Sequence, residues 1–182
     1  HPHARVIEAA KTLQELAEKD GQVVVLFHQG RPGEHDFMES PEEHAAQLQQ
    51  LVGRPVKSVN DLFGDEALAA IQALQPGEIL VLKPVRARDP AVDGRVLEQH
   101  PAFLEKLKPL AALFVLDGFS VAHRASPSVT GVARRHSSLA PLRRGTVPAR
   151  NAERAAHRTT RHSRRGGFST EQPGPVFLLV RG

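Results

Sequence analysis

Arginines and histidines gather where the apolar runs of this 182-residue sequence end. His28, Gln29, Gly30 and Arg31 follow the run Val23–Phe27, Arg86 follows Ile79–Leu82, and His123 and Arg124 come soon after Leu113–Leu116. Arg5 opens the first helical stretch. A guanidinium presents a planar fork of donors that grips phosphate or carboxylate through two parallel hydrogen bonds. Brought to one side of a fold, these side chains suit a small anion that carries both groups. Taken alone, an arginine near a helix start is more often a solvated surface residue. A histidine after a strand is more often a loop residue bonded to its own backbone. The weight of the reading lies in the recurrence of the same residue types at successive strand ends.

Such convergence needs elements that deliver those loops to one edge. Val6, Ala9, Leu13, Leu16 and Ala17 fall near the 3.6-residue period and predict a helix over 4–19, ended by Gly21. The continuous apolar run Val23–Phe27 predicts a strand buried on both faces. After a Gly- and Pro-rich loop, Ser40-Pro41-Glu42-Glu43 predicts a helix start, with Ser40 as cap, Pro41 in the first turn and Glu43 reaching back. Val56–Val59, Asp65–Leu74 and Ile79–Leu82 continue as strand, helix and buried strand. Pro101–Leu110 then reads as a helix and Leu113–Leu116 as a strand. The alternation predicts an α/β fold, a three-layer parallel sheet with helices on both faces. Ligands of such sheets collect at the carboxyl ends of the strands, where the arginines lie.

With those residues in view, His28-Gln29-Gly30-Arg31-Pro32 resembles the Ser-His-Leu-Gly-Arg-Pro signature of phosphoglycerate kinases, in the His-Gln form of the archaeal type. Leu82-Lys83-Pro84-Val85-Arg86 resembles Leu-Glu-Asn-Val-Arg-Phe, and the stretch Asp117 to Ser126 resembles Asn-Asp-Ala-Phe-Gly-Thr-Ala-His-Arg-Ala-His. Asp61-Leu62-Phe63-Gly64 and Leu74-Gln75-Pro76-Gly77-Glu78 fall between them in family order, so the resemblance covers residues 5–131. It implies the substrate-binding N-terminal domain of that family, here incomplete. It implies that Arg5, His28, Arg31, Arg86 and Arg124, with backbone at Gln29 and Gly30, hold 3-phosphoglycerate or 1,3-bisphosphoglycerate. Arg5 is implied to lie nearest the transferred group, as the catalytic residue. The reaction implied is reversible phosphoryl transfer between ATP and the substrate carboxylate, with ATP/ADP and Mg²⁺ held by a domain absent from this chain. The expectation that follows is a cytoplasmic monomer of glycolysis or gluconeogenesis, inactive on its own.

The pattern also departs from the family. Lys83-Pro84 stands for Glu-Asn, Ala87 for Phe, and Leu116 for the Asn before Asp117. The Asp-Phe-Asn segment expected before Arg5 would lie upstream of His1. Charge divides the chain: residues 1–133 hold 13 Lys and Arg against 18 Asp and Glu, whereas 134–182 hold 11 Arg against 2 Glu. The expected division is therefore a kinase-type domain over 1–133, an irregular Arg-rich segment over 134–172 and a terminal strand over 173–182. Arg134–Arg165 contains no Lys and no sustained apolar period, as a GC-rich gene gives when read out of frame. The alternative is a truncated, non-catalytic product whose basic tail binds RNA or acidic partners, although without Trp or Tyr the chain offers poor stacking platforms for single strands. The absence of Cys excludes disulfides and thiolate chemistry. No metal site is expected, and runs such as Ala111–Leu116 are too short to span a bilayer, which needs about 20 residues.

Overall fold

A computed structural model describes residues 4–27, 30, 32–35, 37, 40–88, 95–116, 126–131 and 176–180, with backbone alone at 4, 5, 129, 130 and 176–180. Helix α1 spans Ala4–Glu18 and strand β1 Gln22–Leu26. They are followed by α2 (Pro41–Val52), β2 (Val56–Ser58), α3 (Asp65–Gln72) and β3 (Ile79–Val81). A 3₁₀ turn at Leu97–Gln99 leads into α4 (Pro101–Leu107), a second 3₁₀ turn, β4 (Ala111–Leu116), a π turn at Pro127–Gly131 and finally β5 (Val176–Val180).

The helix ends show why the segments stop where they do. Asp20 takes a left-handed conformation, with φ of 60°, after α1. Its N–H donates to Ala17 O, and that of Gly21 donates to Leu16 O at 3.0 Å, so two last-turn carbonyls are satisfied as β1 begins. Ser40 caps α2 as expected, accepting from the Glu42 N–H at 3.3 Å. Its hydroxyl contacts the carboxylate of Glu42, while Glu43 accepts from Gln47 one turn on. Gly53, at φ of 70°, closes the other end of α2 by donating to Gln49 O.

The five strands lie in the order β2-β3-β1-β5-β4. β1 pairs parallel to β3, and β3 parallel to β2. β5 pairs antiparallel to both β1 and β4, so β1 to β4 all point the same way and β5 alone is reversed. The expected three-layer sheet with parallel strands and helices on both faces is therefore present, with one antiparallel member.

Alternation along the strands builds two cores. Val23, Val25, Phe27, Ile79, Val81 and Val115 pack with α1 and α2 on one face. Val24, Leu26, Leu80, Leu82, Phe114 and Leu116 pack with α3 and α4 on the other. The chain steps outward from β1 to β2 through α2 and back to β3 through α3. Opposite steps with helices on opposite faces are what a constant crossover hand demands. Each fully buried Leu or Phe contributes about 1.5–3 kcal/mol, so the two cores fix the strand ends, and hence the loops, in place.

Candidate functional site

The carboxyl ends of β1 and β3 are stitched together beyond the strands themselves. Leu82 N–H donates to Val25 O at 3.2 Å and Val85 N–H to Phe27 O at 3.0 Å. Farther on, Leu97 N–H donates to Ala87 O and Glu98 N–H to Val85 O, each at 2.9 Å. Val85 and Ala87 are fully buried in the core. Arg86 sits in a turn that Ala87 N–H closes on Pro84 O at 2.9 Å, Arg88 bridges Val96 just beyond it, and both line a cavity of about 490 Å³. Pro32 and Glu34 from the loop after β1, Glu98 from the 3₁₀ turn, and Ser126 line it with them.

Gly30 begins the same loop, buried and with φ of 65°, a left-handed turn that glycine makes at little cost. It takes the chain from β1 toward the wall formed by Pro32 and Glu34. Helix α1 returns to β1 through a tight turn and so runs antiparallel to it. Its first turn, bearing Arg5, therefore stands at the carboxyl edge. Of the predicted site residues, Gly30 and Arg86 are thus at that edge, with Arg5 placed there by its backbone. The Arg5 side chain, together with His28, Gln29, Arg31, His123 and Arg124, lies outside the described residues.

Three residues whose roles the sequence did not signal also shape this edge. Glu98 is a buried carboxylate 4.0 Å from Arg86 Nε. It also accepts from Ser128, through the backbone N–H at 3.3 Å and through the hydroxyl. Asp61 accepts from the N–H groups of Gly64 and Ala67, both at 3.0 Å, and its carbonyl accepts from Lys83 N–H. It thereby caps α3 and ties that cap to Lys83, two residues beyond β3. His44 on α2 stacks on Phe27 with ring centroids 4.3 Å apart and planes 10° from parallel. Its ring nitrogens are buried with no hydrogen-bond partner among the described residues, and burial lowers its pKa to about 4. Periodicity marked His44 only as a helix position, and nothing local distinguishes Glu98 from a surface acid.

A half-buried arginine at a parallel-sheet carboxyl edge, in a cavity with a second arginine, can bind an anion and orient it. The family model for phosphoglycerate kinase matches residues 2–143. The chain belongs to the phosphoglycerate kinase family. Phosphoglycerate kinase of Pyrobaculum aerophilum is 43% identical over 129 residues, covering 70% of this chain and 31% of the relative. That of Halorubrum lacusprofundi is 37% identical over 175 residues, covering 95% of this chain and 40% of the relative, an alignment that extends past residue 133. The crystal structure of phosphoglycerate kinase from Pyrococcus horikoshii OT3 superposes with a TM-score of 0.61 at 28% identity, over 88% of this chain and 38% of that one. The chain spans about a third of the length of the curated phosphoglycerate kinases it matches. The family resemblance first carried by short motifs thus extends to the fold that positions them.

Proposed function

We propose that this chain provides the 3-phosphoglycerate side of a phosphoglycerate kinase, acting in reversible phosphoryl transfer between ATP and the substrate carboxylate. The observation that carries the reading is Arg86, half-buried in the cavity at the carboxyl edge, at the arginine position of the Leu-Glu-Asn-Val-Arg-Phe motif it resembles. Arg5, His28, Gln29, Gly30, Arg31 and Arg124 complete the proposed substrate set, with Arg5 nearest the transferred group. Their part is to bind, orient and neutralise charge on oxygen, which is most of what phosphoryl transfer asks of a protein.

ATP/ADP and Mg²⁺ are the family's cofactors, and Mg²⁺ would neutralise charge on the phosphate oxygens. Among the described residues no group of three or more His, Asp or Glu side chains converges, so no metal ligand is assigned and no step is derived through either cofactor. The nucleotide is proposed to bind outside these 182 residues, and the proposed setting is a monomer acting on metabolites of the cytoplasm. Among the described residues no helix is long and apolar enough to cross a membrane. The proposed division keeps 1–133 as the substrate domain, 134–172 as an Arg-rich irregular segment and 173–182 as a terminal strand.

The test joins binding to turnover. Calorimetry should detect 3-phosphoglycerate binding to the 182-residue chain, lost or sharply weakened in Arg86→Ala. A coupled assay with ATP, Mg²⁺ and 3-phosphoglycerate should show no turnover, because holding both reactants in line accounts for about 7–11 kcal/mol of such barriers. No binding to the folded wild-type chain would sink the substrate assignment. Turnover that disappears in Arg5→Ala would show that this half recruits nucleotide alone.

A further inference from the structure

We infer that Glu98 is a positioning residue for the anion site, fixing the guanidinium of Arg86 and anchoring the 126–131 turn to the same wall. The inference rests on the reading of Arg86 as a substrate ligand. Glu98 is 5% exposed, and carboxylates are seldom buried so fully unless paired. Its two oxygens serve two different segments. Oε1 faces Arg86 Nε at 4.0 Å, while Oε2 takes the N–H and hydroxyl of Ser128, which is itself fully buried.

The backbone reinforces the side chain. Val85 and Ala87, on either side of Arg86, accept hydrogen bonds from Glu98 and Leu97. Arg86 is thereby held from both flanking peptides and from its own head group, all by one 3₁₀ turn. The ion pair lies on the Nε side of the guanidinium, at 4.0 Å, and so draws that edge of the fork toward the Glu98 wall by charge. A fork so held loses less freedom when it grips a planar carboxylate or a phosphate edge.

Placing a carboxylate beside an anion site is otherwise costly, and this gives the inference a definite sign. If Glu98 only competed with substrate for Arg86, removing its charge would tighten binding. If it positions Arg86, removing the charge loosens binding despite the relieved repulsion.

The experiment is a double-mutant cycle on the full 182-residue chain, read by calorimetry with 3-phosphoglycerate as titrant. Glu98→Gln keeps the size and one acceptor oxygen. It should weaken binding about tenfold, the lower end of what loss of an orienting partner costs at metal sites. In the Arg86→Ala background the same change should cost less than about twofold, because the two residues act as a unit. Ser128→Ala, which leaves the Arg86 pair in place, should lower the melting temperature and leave affinity within about twofold. Affinity unchanged or raised in Glu98→Gln overturns the inference, as does a Ser128→Ala loss equal to that of Glu98→Gln. If Arg86→Ala leaves affinity unchanged, the substrate reading itself fails and the inference falls with it. If Arg86→Ala weakens binding and Glu98→Gln does not, only the role of Glu98 falls. Should Glu98→Gln not fold, the Nε–Hε NMR signal of Arg86 in the wild-type chain decides. It should exchange with water more slowly than that of Arg88 and shift on titration. Exchange as fast as Arg88 overturns the inference.

Discussion

His44 and Phe27 form a flat stack where β1 leaves the sheet, one residue before the His28-Gln29-Gly30-Arg31 loop. An imidazole buried there without partners stays neutral, and its pKa falls from 6.5 to about 4 through desolvation alone. The unfolded chain therefore binds a proton between those two values that the folded chain refuses. Stability is unaffected above about pH 6.5 and declines as the pH falls toward 4, by about 1.4 kcal/mol per pH unit. Between pH 7 and pH 5 the loss should reach about 2 kcal/mol. His44→Leu, of similar volume and with nothing to protonate, should lack that part of the decline in urea denaturation at the two pH values. Parallel losses in both proteins would mean that His44 does not titrate in this way. The difference between what was legible here and what was not is physical. The arginines declare themselves because strand ends can be counted off the sequence. His44 and Glu98 gain their character from neighbours 17 and 30 residues away, Phe27 and Ser128, and burial at that range leaves no local mark.

At the scale of elements, α3 depends on a residue outside it. Gly64, its N-terminal cap, has no side chain to offer, so Asp61 reaches in from three residues earlier to satisfy Gly64 and Ala67. A Cβ on Gly64 would stand 2.4 Å from Asp61 Oδ2 and force the carboxylate out. Asp61→Ala should cost about 1–2 kcal/mol, the range for loss of a helix cap. Gly64→Ala should cost a similar amount for the same reason, so the double variant should be markedly less than additive in urea denaturation. Full additivity would show that the two residues act separately. The motif containing both was legible as part of a family pattern, but its work as a remote cap was not, since the bond to Ala67 skips over a turn. Helix boundaries were clearer, because caps and breakers are local. The expected helix Pro101–Leu110 instead divides at Leu107, with a 3₁₀ turn over Lys108–Leu110. Pro109 accounts for the break, since it lacks an N–H and crowds the preceding turn.

Across the whole molecule, β5 decides whether the sheet is one piece. Val176–Val180 forms a strand, but an apolar run does not carry its own direction, and the reversed pairing was not legible. Val176 to Val180 meet Leu26 to Gln22 on one side and Leu116 to Ala111 on the other. Among the described residues β4 has no other neighbour in the sheet, so β5 joins it to the three strands that carry Gly30 and Arg86. A chain ending after residue 172 would therefore lose two ladders together and expose the edges of β1 and β4. Exposed edges bring unpaired backbone groups and a template for association. The shortened chain should melt at lower temperature and with less cooperativity, bind a hydrophobic dye, and associate at higher concentration. Adding a peptide of residues 173–182 in trans should restore part of the lost melting temperature, because the gap it fills is flanked on both sides. An unchanged melting curve on removal of these ten residues would show that the sheet closes without β5, and that β4 reaches β1 directly.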